Sequence, residues 1–91
     1  MISPEITAKL LYSQRNEITE HFIYKKPARS MKDRHNREIL LHISKDELRH
    51  YDFRKQVTGK DIKPNMLKVW FYYLVSRIFG LTFGIKLMER G

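Results

Sequence analysis

There is no cysteine anywhere in the 91 residues. That absence excludes a disulfide framework, an iron–sulfur centre and a thiolate zinc site, and it fits a reducing cytoplasmic setting. Any metal must be held by carboxylates and imidazoles. Glycine and proline are also scarce, four and three residues respectively, so the chain has few places to break a helix. The N-terminal Met1-Ile2-Ser3-Pro4-Glu5 lacks the basic flank and long apolar run of a secretory signal. No Gly-rich phosphate loop, Walker lysine or nucleophilic triad is present.

What the chain does have is charge, with eighteen Lys and Arg against ten Asp and Glu for a formal net charge of +8. The basic residues are spread through Lys25, Lys26, Arg29, Lys32, Arg34 and Arg37 and again through Lys55, Lys60, Lys63 and Lys68. They form neither an Arg-rich tail nor a Gly-aromatic RNA-binding signature, so nucleic acid is not expected as a partner. A chain this short forms one domain at most, and a metal or a second subunit would add to its modest core.

The apolar pattern predicts an all-α protein of three helices. Ser3 as cap, Pro4 at the first helical position and Glu5 in the first turn open helix one, expected over about residues 3–30. Its inward stripe runs Ile6, Leu10, Tyr24, Ala28 and Met31, with Pro27 expected to kink it or end it early. Lys32–His35 reads as a turn. Helix two is expected over about 36–57, with Ile39, Leu40, Ile43, Tyr51 and Val57 inward, antiparallel to the first and closed by Thr58-Gly59. Pro64 is placed to open a third helix over about 65–90, the most apolar segment of the chain. It resembles a membrane span in composition, but Arg77 and Lys86 disfavour a lone spanning helix, leaving a bundle, interface or membrane-surface helix. Gly80 and Gly84 suggest close packing or a break.

Against this pattern Glu17 is misplaced, because it projects from the middle of helix one's apolar stripe. An unpaired buried carboxylate costs several kcal/mol or takes up a proton. Helix two repeats the anomaly: Glu47 and His50 share a face with Asn36, Ile39, Ile43 and Arg54. Glu from one helix with Glu-x-x-His from its neighbour is half of the ligand set by which helical bundles hold two iron or manganese ions. Carboxylates bridge hard cations, and an imidazole at i+3 caps from the same face. A buried salt bridge, Glu17 with Arg54 or His50, is the competing account. His21, Tyr24 and Glu89 are accessory candidates, whereas Glu20, Asp46, His35 and His42 fall off the inward stripes and read as solvated.

The run Asn16-Glu17-Ile18-Thr19-Glu20-His21-Phe22-Ile23-Tyr24, followed by Asp46-Glu47-Leu48-Arg49-His50-Tyr51, resembles the ferritin-like, rubrerythrin-type di-iron family. The tail from Phe79 to Glu89 is similar to the ferritin-like domain that precedes vacuolar-iron-transporter-type membrane domains. The resemblance implies iron, with manganese as the alternative, and ferrous oxidation by oxygen or peroxide in storage, transport control or oxidative defence. Glu17, Glu47 and His50 would be the ligands. A complete member has four core helices and a second ligand set, so this sequence is either the first part of a longer chain or a half-bundle. A half-bundle would be completed by a homo-oligomer related by a two-fold axis. The resemblance also implies a cytoplasmic protein, at a membrane face if a membrane domain follows. Two rivals remain: a non-catalytic metal-dependent interaction module, and a basic helical adaptor that docks on a membrane or an acidic partner.

Overall fold

The computed structural model describes residues 3–80, Ile85, Lys86 and Glu89, and among these the regular structure is helical with no strand. Helix α1 spans Pro4–Ser30, α2 spans Arg34–Thr58 and α3 spans Met66–Phe79.

Each helix begins with a side chain that satisfies an orphan backbone donor. Ser3 accepts from the Ile6 amide at 3.2 Å, Asp33 from Asn36 at 3.2 Å and Asn65 from Lys68 at 3.2 Å. Two starts differ from expectation for this reason. Asp33 caps α2 and pulls its beginning back into the stretch read as a turn, and Asn65 caps α3, which leaves Pro64 just outside the helix. Pro27 falls in the last turn of α1, where it denies the Ile23 carbonyl its helical donor, and the helix ends three residues later at Ser30. Gly59 closes α2 in the left-handed region at φ 68°, donating to Lys55 at 2.7 Å. Gly80 closes α3 at φ 98° rather than letting it run on. Ile85, Lys86 and Glu89 have helical backbone, while Gly84 and the expected end near Arg90 lie outside the described residues.

Helices α1 and α2 are antiparallel and joined by polar ties at several heights. Thr58 donates to the Gln14 amide oxygen at 2.8 Å near one end. At mid-length, His21 Nδ1 donates to the Ser44 carbonyl at 2.8 Å while Ser44 Oγ donates to the His21 carbonyl at 2.9 Å. This reciprocal pairing places the imidazole proton on Nδ1. The connection to α3 is pinned by the Tyr51 hydroxyl, which bonds Asp61 and accepts from the Ile62 amide at 3.0 Å. Helix α3 then packs on the other side of α1 and runs parallel to it. The Asn65 amide donates to Thr19 Oγ1 at 2.9 Å, and Ile23, Val69 and Tyr72 form a small apolar core with Phe22 against it.

The apolar stripes come out differently from the periodicity. Ala28, Leu40 and Tyr51 are buried, whereas Ile6, Ile39 and Val57 are exposed. The interior positions between α1 and α2 go instead to Gln14, His21 and Ser44.

Candidate functional site

Glu17, Glu20 and Tyr24 lie on one face of α1 at i, i+3 and i+7, and Glu47, His50 and Arg54 repeat that spacing on α2. The antiparallel packing brings the two faces together along one edge of the hairpin. Glu17 is 8% exposed, and neither of its buried carboxylate oxygens has a hydrogen-bond partner of good geometry. The Arg54 guanidinium presses against it as an ion pair, yet its Nε is likewise without an aligned hydrogen bond. His50 Nδ1 stands between the two acids, 3.9 Å from Glu17 and 3.6 Å from Glu47, with its ring more than half exposed. The ion pair with Arg54 weighed from the sequence is therefore present, and His50 stands within pairing distance of both acids.

The electrostatics of this edge are those of crowded carboxylates. Burial pushes the Glu47 carboxyl up to about 7, helped by a side-chain hydrogen bond with Glu20 and by the charges of Glu20, Glu17 and Asp46. Burial likewise pushes the Tyr24 phenol up to about 12, with Glu20, Glu89 and Glu47 all opposing a phenolate. Glu89 thus lies close enough to Tyr24 to act on this edge, although its own side chain is exposed.

Glu20 is a correction to the sequence reading, which took it as solvated. It is half-buried and close enough to Glu47 to help raise that carboxyl. Its signal was available, since i+3 from Glu17 places it beside the same face. His21 faces Ser44 rather than the carboxylates, on the far side of Glu17 from Glu20. His35 is exposed, and His42 pairs at 3.4 Å with the half-buried Asp46 on the outer surface.

As a metal site the cluster is fragmentary. Among the described residues, no three His, Asp or Glu groups are arranged to hold one ion. His50 meets each carboxylate in turn, and Arg54 takes the side of Glu17 where a cation would stand. The donor chemistry nevertheless suits ferrous or manganous ions, and the buried, unsatisfied Glu17 oxygens are groups that a cation would satisfy. Glu17, Glu47 and His50 thus supply suitable donor types without forming one coordination sphere in this chain.

No family model matches the chain, and no curated protein or solved structure matches it significantly.

Proposed function

We propose that this chain is one half of a ferritin-like, carboxylate-bridged metal protein, binding iron or manganese where two hairpins meet. The carrying observation is the buried Glu17 carboxylate, paired with Arg54 but without an aligned hydrogen bond, beside Glu47 and His50 of the facing helix. A second copy related by a two-fold axis would bring another Glu17, Glu47 and His50 to the same edge and complete a four-helix bundle. Glu17 and Glu47 would bridge or terminate the ions, and His50 would cap. Glu20 and Tyr24 would orient Glu47, whose raised carboxyl would lose its proton to solvent as it takes the metal. When bound, a di-iron pair supplies ferrous oxidation by oxygen or peroxide.

Anaerobic ferrous titration with light scattering tests this reading, followed by exposure to oxygen. Saturation at about one iron per chain in a dimer, with ferric absorbance growing in on oxygenation, supports it. No saturable binding, or binding unchanged in Glu47→Ala, removes it. Binding and assembly without oxygen consumption would leave the metal-dependent module.

The Arg54 contact favours a second reading, in which the cluster is a metal-free ion-pair network inside a helical interaction module. Arg54→Ala separates the two. The metal reading expects tighter iron binding once the guanidinium leaves Glu17, and the ion-pair reading expects a less stable chain that binds none.

A further inference from the structure

Helix α3 has an apolar face where a surface helix normally has a polar one. Val69 and Tyr72 are buried against α1, yet the opposite face carries Leu67, Phe71, Leu74 and Ile78, exposed by 86, 54, 53 and 72%. These four recur at i, i+4, i+7 and i+11, so they form one continuous stripe directed away from the protein. A contiguous stripe of this kind on a single helix marks a contact surface. Among the described residues no helix is long and apolar enough to cross a membrane.

The charges around the stripe say what covers it. Met66–Phe79 contains no acidic residue and carries Lys68 on one flank and Arg77 on the other. On the Arg77 side, the Lys26 ammonium lies 3.8 Å from the centroid of the half-exposed Trp70 ring. Beside it, Lys25, Lys26 and Arg29 line a groove of about 210 Å³ between α1 and α3. A second copy placed face to face would bring Lys68 and Arg77 of both chains to one rim with no acid on either helix to answer them. An anionic bilayer answers all of them: its acyl boundary takes the stripe, its headgroups take the cations, and Trp70 sits at the depth that indole favours.

We propose that the outer face of α3 docks the protein in the plane of an anionic lipid bilayer, with Leu67, Phe71, Leu74 and Ile78 inserted and Lys26, Lys68 and Arg77 at the headgroups. This surface is separate from the Glu17 edge and stands whether or not that edge binds metal.

Trp70 is the single tryptophan, so its emission reports docking directly. Wild-type chain should shift to the blue and co-sediment with phosphatidylglycerol-containing vesicles, and not with phosphatidylcholine alone, more weakly as salt rises. Phe71→Ser with Leu74→Ser, both at half-exposed positions, should weaken binding at least about tenfold with helicity unchanged. Glu47→Ala should bind vesicles as wild type does, which separates this surface from the metal reading. No shift at low salt, or equal binding by the double variant, overturns the proposal. A mass above monomer that the double variant abolishes, without vesicle binding, would assign the stripe to a second copy. A shift with polyglutamate but not with vesicles would assign it to an acidic protein.

Discussion

Helix α1 has two seams, and they are held by different chemistry. The seam with α2 is longer, yet Gln14, His21 and Ser44 fill much of its interior and tie it through hydrogen bonds. The seam with α3 is short and centred on Ile23, Val69 and Tyr72. Apolar burial gives adhesion without direction, whereas a fully satisfied polar tie permits one register and penalises its neighbours. The polar seam therefore fixes the height of Glu47 against Glu17, and the apolar seam holds α3 in place without specifying so much.

The largest effect should come from emptying the apolar seam. Tyr72→Ala removes a buried ring from a cluster with few other members and should cost about 3–5 kcal/mol. For a domain of this size that approaches the whole stability, so α3 should come away first. In urea, Trp70 fluorescence should then change before the far-ultraviolet helicity does. Coincident transitions would mean that the two seams unfold as one unit.

Breaking the polar seam should cost less and do so non-additively. His21→Ala strips the Ser44 carbonyl of its second donor, the helical one remaining, at about 0.5–1.5 kcal/mol. Ser44→Ala removes the other half of the exchange. The two singles share the 2.8 Å contact between Ser44 Oγ and His21 Nδ1, which either removes, so the double variant should cost somewhat less than the two singles together. Simple additivity in urea denaturation would show that the tie does not act as a unit.

Helix existence was legible in the sequence because capping is local. Ser3, Pro4 and Gly59 act where the chain chemistry places them. The contents of the α1–α2 seam were much less legible. Periodicity reads apolar residues, and at Gln14, His21 and Ser44 the interior belongs to polar side chains whose partners lie 23 or more residues away. No local signal separates such a histidine from a surface one. Glu17 was legible for the opposite reason, as a charge on an apolar line, and so was its company with Glu47 and His50. Glu20 was misread although its i+3 spacing from Glu17 was visible, because it lies off the apolar line that singled out Glu17. The exposed stripe of α3 was missed as a stripe: a helix apolar all round reads as buried, and only the position of α1 shows which half stays open.

Glu17 itself supplies the third test. Glu17→Leu combined with Arg54→Leu replaces the buried ion pair, whose facing atoms make no aligned hydrogen bond, with apolar groups. The metal-free chain should gain about 1 kcal/mol while metal-dependent assembly disappears, a gain in stability at the expense of function. A loss of stability in thermal melts would show that Arg54 already satisfies Glu17, and the metal reading would lose its main support.

The smallest effect distinguishes the seams by pH, because only the polar one has a carboxyl poised to titrate. In the folded chain Glu47 is raised from its ordinary 4.5 to about 7, first by burial and then by Glu20. Below about 4.5 both folded and unfolded chains hold the proton. Between there and about 7 the folded chain holds a proton that the unfolded chain has lost, so stability falls as pH rises and levels off above that window. The metal-free protein should therefore melt at a lower temperature at pH 7.5 than at pH 5.5. Glu20→Gln, which removes the neighbouring charge, should flatten this dependence, while Val69→Ala should lower both melting temperatures equally. Added ferrous or manganous ion competes with the same proton and should narrow the difference by raising the pH 7.5 value more. A wild-type slope of the opposite sign would place Glu47 in a stabilising ion pair with His50 rather than in a crowd of acids, and the edge would then be a salt bridge rather than half of a metal site.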